Sequence, residues 1–351
     1  MSAERWQDLS LTVLLRYLEL IGVGAVKISR ISKMTILATH FFSANQPIKY
    51  GDRTIGQLEA LENILGSGVV DGLLTGKLTV RVVGNEVVIE PAPVLIFDKH
   101  GRRIPPAGLL AKVCDANYGS APTKLGEVSC AARQERLKLA FGESVGLIAT
   151  DDFERRIAEL VGKINADATI KNVLNGSWYP ICIPGGLGIT PENYGEKLDN
   201  VIVPAAKSAY ERAFSERTFR NNLSGQLAGE VRIFKGSRHE KLLEAASKEP
   251  VVGIYFPTAL QGYSINADRE QMASLPEMFW LTGGLDALVA QIMYPNELLR
   301  DSKTLYYDMA ACVWRGGSLC GFVSDGDAGF SDNVRLVSAV GNFAGGLFLA
   351  A

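Results

Sequence analysis

A glycine-rich turn is the stretch of this sequence that is best suited to hold a ligand. Gly185, Gly186 and Gly188 lie within four residues of one another. Glycine takes positive φ without steric cost, and it lets main-chain N–H groups come close to a bound molecule. Free N–H groups attract anions, so we predict that these three glycines bind a small anionic ligand.

The residues on either side of the turn predict a strand before it and a helix after it. The run at 178–183 is apolar and short, as expected for a buried strand. Thr190 is a good N-cap and Pro191 a good first helical residue. We therefore predict that the helix begins at Pro191, so that Thr190 and the helix dipole contribute to the anion site.

The spacing of the glycines does not match a known phosphate motif. The dinucleotide pattern needs two residues before its last glycine, and the P-loop needs a Lys followed by Ser or Thr. Neither arrangement is present here. The structural alternative is that the glycines only make a tight connection between the strand and the helix.

Four further side chains are candidate ligand-binding residues. Arg238 and His239 lie at the predicted start of a helix that follows a strand, and Gln261 and Tyr263 lie at the end of the next strand. Polar groups that converge on an apolar cleft are typical of small-molecule pockets, so we expect these residues near the glycine turn. The alternative for His239 is a structural or solvent-facing role, and for Gln261 and Tyr263 it is packing under a loop.

The sequence contains no complete catalytic arrangement. Cys182 precedes the turn, and a helix start could lower the pKa of its thiol, but its apolar neighbours favour a buried side chain. The chain has three histidines, and none of them accompanies a Gly-x-Ser-x-Gly motif. Whether the protein is an enzyme, and which cofactor it uses, are left open.

An acidic stretch from Asp325 to Asp332 is the one segment with several potential cation ligands. Its three carboxylates suit a hard cation. Leu336, however, stands where an EF-hand has its closing glutamate, and a turn rich in Asp and Gly explains the same residues. We predict no metal site.

Composition limits the classes of function. The 351 residues carry 36 basic and 38 acidic side chains, a formal net charge of −2. This balance gives no general attraction to nucleic acid or to anionic membranes, and we predict neither partner. The first residues lack the pattern of a secretory signal, and the five cysteines form no Cys-x-x-Cys pair. A soluble protein of the cytoplasm, with reduced thiols, is predicted.

The first half of the chain is predicted to be helical with one β-hairpin. Apolar spacing indicates helices at 4–22, at 54–65 and from residue 151 onward. Alternating residues on either side of Gly84 and Asn85 predict the hairpin. We place a domain boundary near residue 168, which gives a domain at 1–168 and a second at 169–351.

The second half is predicted to contain a strand–helix–strand unit at 231–256, whose two strands would be parallel. Pro204 is expected to kink or split the helical run after the turn. A closing hairpin of 318–324 with 334–340 would add antiparallel strands. The predicted fold class is therefore α+β, a mixed sheet with a βαβ element in the C-terminal half and a helix-plus-hairpin N-terminal part.

Two functions fit these features. The first is a globular protein that binds a small anionic ligand at the glycine turn, with the reaction, if any, unknown. The alternative is a structural or self-assembling protein, a homo-oligomer without catalytic activity. That alternative rests on the apolar, glycine-rich end at 340–351, which as an exposed edge would pair with another chain.

Overall fold

The computed structural model describes residues 59, 62–75, 77–83, 86–125, 129–324, 326–333 and 336–351. The chain divides after Val94 into two compact units. The second unit, which begins at Leu95, includes segments from both sides of the domain boundary that the sequence suggests near residue 168.

The first unit contains the predicted hairpin. A helix, α1 (Ser67–Leu74), precedes strands β1 (Leu78–Val83) and β2 (Glu86–Pro91). The two strands are antiparallel and pair from Leu78 opposite Pro91 to Val83 opposite Glu86, which confirms the hairpin. The predicted helix at 4–22 lies outside the described residues, and of the one at 54–65 only 62–65 are described as a continuous helical segment.

The second unit consists of nine strands and eight α-helices within the described ranges. The strands are β3 (Tyr179–Ile183), β4 (Phe219–Asn221), β5 (Val231–Ile233), β6 (Val251–Gln261), β7 (Phe279–Leu281), β8 (Tyr306–Trp314), β9 (Gly317–Ser324), β10 (Asp327–Asn333) and β11 (Phe343–Ala350). The helices are α2 (Cys130–Phe141), α3 (Thr150–Ala166), α4 (Tyr194–Lys197), α5 (Val203–Ala213), α6 (His239–Lys248), α7 (Ile265–Glu270), α8 (Gly284–Met293) and α9 (Pro295–Leu298).

All nine strands belong to one mixed sheet. Its order is β3–β6–β11–β8–β9–β10–β4, with β5 also paired to β8 and β7 to β11. The pairs β11–β8 and β10–β4 are parallel, and the remaining pairs are antiparallel. The fold is α+β, as predicted.

The predicted strand–helix–strand unit is β5–α6–β6. Strand β5 is antiparallel to β8, β8 is parallel to β11, and β11 is antiparallel to β6. It follows that β5 and β6 run in the same direction, as the sequence predicts. The two strands are not neighbours, because one pairs with β8 and the other with β11.

In two helices, the spacing of apolar residues in the sequence matches the face that is buried. Helix α3 buries Phe153, Ile157, Leu160 and Ile164, the apolar stripe that its spacing predicts. Helix α8 is buried at every position, as expected for a segment that is apolar on all sides, and it packs against β3, α2 and α5. No helix in the described ranges is long and apolar enough to cross a bilayer.

Pro204 lies in the first turn of α5 and does not split the helical run after the turn in two. Proline has no N–H to donate to the carbonyl four residues earlier, which disrupts regular α-helical hydrogen bonding. The five residues before α5, Leu198–Ile202, form a π-helical turn that joins α4 to α5. The run is therefore continuous but changes its winding just before Pro204.

The predicted closing hairpin is wrong in its second strand. Strand β9 pairs with β10 at Asp327–Asn333, and not with residues 334–340. Most of the acidic stretch at 325–332 is therefore strand and not a loop, because the turn falls at Gly326, whose φ is 88°.

The apolar C-terminal segment is not an exposed edge. Strand β11 lies inside the sheet, paired with β6 on one side and with β8 and then β7 on the other, and its residues Ala344 to Leu349 are buried. The feature that suggested self-assembly is thus part of the core of the chain itself. A homo-oligomer stays a prediction.

Candidate functional site

The glycine turn directly follows β3 and is held by two neighbouring segments. The N–H of Gly185 donates to the carbonyl oxygen of Gly146 at 3.0 Å. A Cβ on Gly185 would lie 2.7 Å from the nitrogen of Pro250, so only glycine fits between these main chains. The turn, the loop after α2 and the junction between α6 and β6 therefore meet at this point.

The next part of the turn carries main-chain donors without acceptors. Gly186 and Gly188 have φ of 77° and 61°, conformations that glycine adopts at no steric cost. From Gly186 to Ile189, four consecutive N–H groups have no acceptor among the residues that the structure describes. Gly186 and Gly188 are exposed, Leu187 is half-buried and Ile189 is buried, so the run begins at the surface, where a ligand or water can accept from it.

The predicted start of the helix after the turn is wrong. Thr190 donates its N–H to Oδ1 of Asn193, and Asn193 donates its N–H to Oγ1 of Thr190. Asn193 also donates its side-chain amide to the carbonyl of Gly188. These hydrogen bonds close a turn over residues 190–193. Helix α4 begins after this turn, at Tyr194, with Asn193 as its N-cap residue. The main-chain donors of the turn, and not a helix N-terminus at Pro191, are therefore what an anion would meet.

A cavity of about 500 Å³ opens at the turn. This volume lies within the range of about 300–1,000 Å³ that is usual for small-molecule pockets. Three segments line it, namely the loop after α2, the turn itself and the α6–β6 junction, through Phe141, Ser144, Val145, Gly146, Gly185, Gly186, Leu187, Lys248, Glu249 and Pro250.

Two lysines lie near the turn, and their surroundings differ. Nζ of Lys197 lies 3.5 Å from the position of a Cβ on Gly188, and Lys197 has no carboxylate within ion-pair distance in the described part of the chain. Lys248 instead pairs with Glu244 at 2.8 Å on the exposed face of α6. Lys197 is thus the positive charge that is available to the turn.

The structure does not bring the other predicted residues to the cavity. Arg238 and His239 lie at the first end of α6, whereas the cavity lies at its last residue, about 15 Å away for a helix of this length. Gln261 lies ten residues along β6 from the strand end next to the turn, which corresponds to about 33 Å. Tyr263 lies two residues beyond it.

Arg238, Gln261 and Tyr263 make hydrogen bonds within the protein. The guanidinium of Arg238 donates to four carbonyl oxygens, those of Met272, Leu275, Pro276 and Phe279. The amide of Gln261 donates to the carbonyls of Asn117, Ser120 and Gly341. The hydroxyl of Tyr263 donates to the carbonyl of Arg103. The hydrogen bonds of these three side chains connect segments that are distant in sequence.

His239 belongs to a fully buried polar cluster with Tyr194, Asp286 and Cys312. Its Nε2 lies 2.9 Å from the Tyr194 hydroxyl, and its Nδ1 lies 3.9 Å from Oδ1 of Asp286. The Tyr194 oxygen accepts from the N–H of Leu285 and from the Cys312 thiol. Both lone pairs of that oxygen are then engaged, so the Tyr194 hydroxyl donates to Nε2 and the ring hydrogen is on Nδ1.

Burial keeps this cluster neutral. Loss of hydration lowers the pKa of His239 to about 3 and raises the pKa of Asp286 to about 8. The N–H of Gly283 donates to Oδ1 of Asp286, which caps α8 and opposes part of the rise. Sequence reasoning missed this cluster, although an aspartate three residues after Gly283 is a recognisable helix-start signal.

Cys182 is not an activated nucleophile. Its side chain is fully buried in β3, and burial raises the pKa of its thiol to about 11. The hypothesis that the helix start lowers this pKa is wrong, because the helix begins twelve residues later at Tyr194. Within the described residues, no group of three or more His, Cys, Asp or Glu side chains could hold a metal ion.

Comparison of the chain with models of known protein families, with curated proteins and with solved structures found no significant match. No family is shown.

Proposed function

We propose that this protein binds a small anionic molecule in the cavity at the glycine turn. The observation that carries the proposal is the run of four consecutive main-chain N–H groups, Gly186 to Ile189, without acceptors in the described part of the chain. Gly186 and Leu187 line the cavity, and Gly188 and Ile189 follow them directly. Main-chain donors arranged in a turn bind anions in many proteins without a charged side chain.

Two further features support the same proposal. Lys197, next to the cavity lining, adds a positive charge 3.5 Å from the Cβ position of Gly188 and makes no ion pair with the described residues. The cavity is large enough for a small organic molecule, and three separate segments fix its walls. The proposal is for ligand binding and includes no reaction. The ionisable side chains in the cavity lining are Lys248 and Glu249.

The test places a negative charge among the proposed donors. Gly186 has positive φ, which Asp and Asn tolerate better than other residues, and a Cβ there meets no atom within 4 Å. In equilibrium dialysis with inorganic phosphate, we expect Gly186→Asp to weaken binding at least about tenfold, through repulsion of the anion. Gly186→Asn, which has the same shape without the charge, should weaken binding less.

Gly229 provides the matched control. Its φ of 74° is close to that of Gly186, and a Cβ there also meets no atom within 4 Å. Gly229→Asp therefore introduces the same charge and similar backbone strain at a glycine that does not line the cavity. Phosphate binding that is absent in the unmodified protein, or that falls equally in Gly186→Asp and Gly229→Asp, would contradict the proposal.

We also propose that the protein works in the cytoplasm. All five cysteines are free thiols, and four of them are buried. Unpaired cysteines are typical of proteins from a reducing compartment.

A further inference from the structure

The part of the cavity lining that lies at the ends of α2 and α6 has the reverse electrostatic character. Phe141 and Lys248, which both line the cavity, are the last residues of α2 and α6. The final carbonyl groups of a helix have no N–H partner within it and carry the negative end of the helix dipole. Two such ends meet here, and they favour a positive charge.

The sequence leaves the end of α6 without main-chain donors. The N–H of Glu249 donates to the carbonyl of Ala245, and the next residue, Pro250, has no N–H for the carbonyl of Ala246. The carbonyls of Ala246, Ser247 and Lys248 accept no hydrogen bond from the described residues.

A carboxylate strengthens this negative wall. Glu249 lines the cavity, and no basic side chain lies within ion-pair distance of it in the described ranges. Its neighbour Lys248 is engaged with Glu244 instead. Lys197 beside the turn and Glu249 in the cavity lining are therefore two opposite charges that make no ion pair with the described residues.

We infer that the ligand is a zwitterion, a small molecule with an anionic group for the turn and an ammonium group for the wall at Glu249. This inference rests on the proposed function and specifies its ligand class. The four N–H groups and Lys197 hold the anionic group. The carboxylate of Glu249 and the carbonyl ends of α2 and α6 hold the ammonium group, because a cation is stabilised at helix C-termini.

The test compares carboxylates with and without an amino group. Isothermal titration calorimetry on the full chain would use the unbranched aminocarboxylates with one to five methylene groups, from glycine to 6-aminohexanoate. Each is measured against the simple carboxylate of the same chain length. We expect at least one aminocarboxylate to bind about fivefold or more tightly than its matched carboxylate.

Variants connect this preference to the wall. Glu249→Gln should remove the preference for the amino group and leave the affinity for the simple carboxylate nearly unchanged. Glu240→Gln, in the first turn of the same helix, is the control and should keep the preference. A preference that survives in Glu249→Gln would contradict the assignment of the ammonium group to this wall.

The results separate failure of this inference from failure of the proposed function. If carboxylates or phosphate bind but no aminocarboxylate exceeds its partner, the zwitterion inference is overturned and anion binding stands. If neither the carboxylates nor phosphate bind, the proposed function itself fails and the inference fails with it.

Discussion

The main-chain N–H of Gly185 and the carbonyl oxygen of Gly146 are joined by a 3.0 Å hydrogen bond. This bond connects the glycine turn to the loop after α2, and Gly185 also packs directly against the main chain at Pro250. Three segments that are distant in sequence are thus fixed around one cavity. The glycine turn is therefore held by two neighbouring segments, and its next four main-chain N–H groups have no acceptor in the described residues.

The two adjacent glycines should respond differently to alanine. A Cβ on Gly185 would lie 2.7 Å from the nitrogen of Pro250 and 2.8 Å from the carbonyl carbon of Glu249. Main-chain atoms cannot move aside easily, so Gly185→Ala should lower the free energy of unfolding by about 2–3 kcal/mol. Gly186→Ala meets open space and should cost only about 1 kcal/mol, from its positive φ. Urea unfolding measures both values, and an equal or reversed order would contradict the described packing.

The two lysines near the turn should differ in their effect on anion affinity. Lys197 is unpaired and close to Gly188, whereas Lys248 is engaged with Glu244. Removing a charge at about 4 Å in a well-solvated site costs roughly 1 kcal/mol, so Lys197→Gln should weaken phosphate binding about fivefold. Lys248→Gln should change it by less than about twofold. Dialysis at two salt concentrations would check this, and a larger effect at Lys248 would show that the anion lies elsewhere.

The hydroxyl of Tyr194 should be important for stability. It pairs with His239 and with the N–H of Leu285 inside the core. Tyr194→Phe leaves both partners buried without a hydrogen bond, which should cost about 1–3 kcal/mol. Tyr306 is the control, because its ring is half-buried and its hydroxyl has no partner in the described residues. Tyr306→Phe should be nearly neutral, and similar losses in the two variants would mean that the Tyr194 network contributes little.

Asp286 should make stability fall as pH rises. Its pKa is about 8 in the folded protein, above the ordinary value of about 4 in an unfolded chain. The folded state therefore keeps a proton that the unfolded state has lost, and this stabilisation disappears between pH 4 and pH 8. His239 has the opposite shift, with a folded pKa of about 3, so it lowers stability as pH falls below about 6.5.

These two contributions oppose each other between about pH 4 and 6.5, and of the two only that of Asp286 changes between about 6.5 and 8. There the slope from this residue approaches about 1.4 kcal/mol per pH unit. Asp286→Asn keeps an acceptor for Gly283 but cannot titrate, so its stability should depend less on pH across this range. Urea unfolding from pH 6 to 8.5 tests this. Parallel pH profiles for the two proteins would contradict the neutral cluster.

The cysteines should differ in reactivity. Burial raises the thiol pKa of Cys130 and Cys182 to about 11 and of Cys312 to about 12. Cys320 is also buried, and burial together with the nearby Asp308 raises the pKa of its thiol well above its usual range. Iodoacetamide labelling of the native protein, followed by peptide mass spectrometry, should modify the partly exposed Cys114 first. Early labelling of Cys182 would reopen a nucleophilic role for that residue.

Local patterns were sufficient to predict much of the architecture. The hairpin at β1 and β2, the buried stripe of α3 and the common direction of β5 and β6 follow from the spacing of apolar residues and from turn chemistry. The closing hairpin failed in its second strand because the chain already turns at Gly326, so that Asp327–Asn333 pairs with β9 in place of 334–340. Only tertiary packing decides that β10 pairs with β9 and that β11 enters the centre of the sheet.

Of the candidate site, only the glycine turn could be predicted from the sequence. The glycines indicated the turn, because positive φ and close approach are properties of the residue itself. The cavity depends on Gly146 and Pro250, whose proximity to the turn arises from the fold and leaves no local signal. Thr190 looked like an N-cap, but its N–H donates to Oδ1 of Asn193 in a turn, and the helix starts only at Tyr194. His239 and Gln261 are hydrogen-bonded within the core, which periodicity cannot show.

The most direct test of the central claim is a ¹H–¹⁵N correlation titration of the full chain with inorganic phosphate. The account predicts saturable shifts of the amide signals of Gly186, Leu187, Gly188 and Ile189, the four donors without acceptors, and smaller changes elsewhere. Amide signals of the turn that do not move while phosphate perturbs other residues, or no saturable change at all, would contradict anion binding at this site.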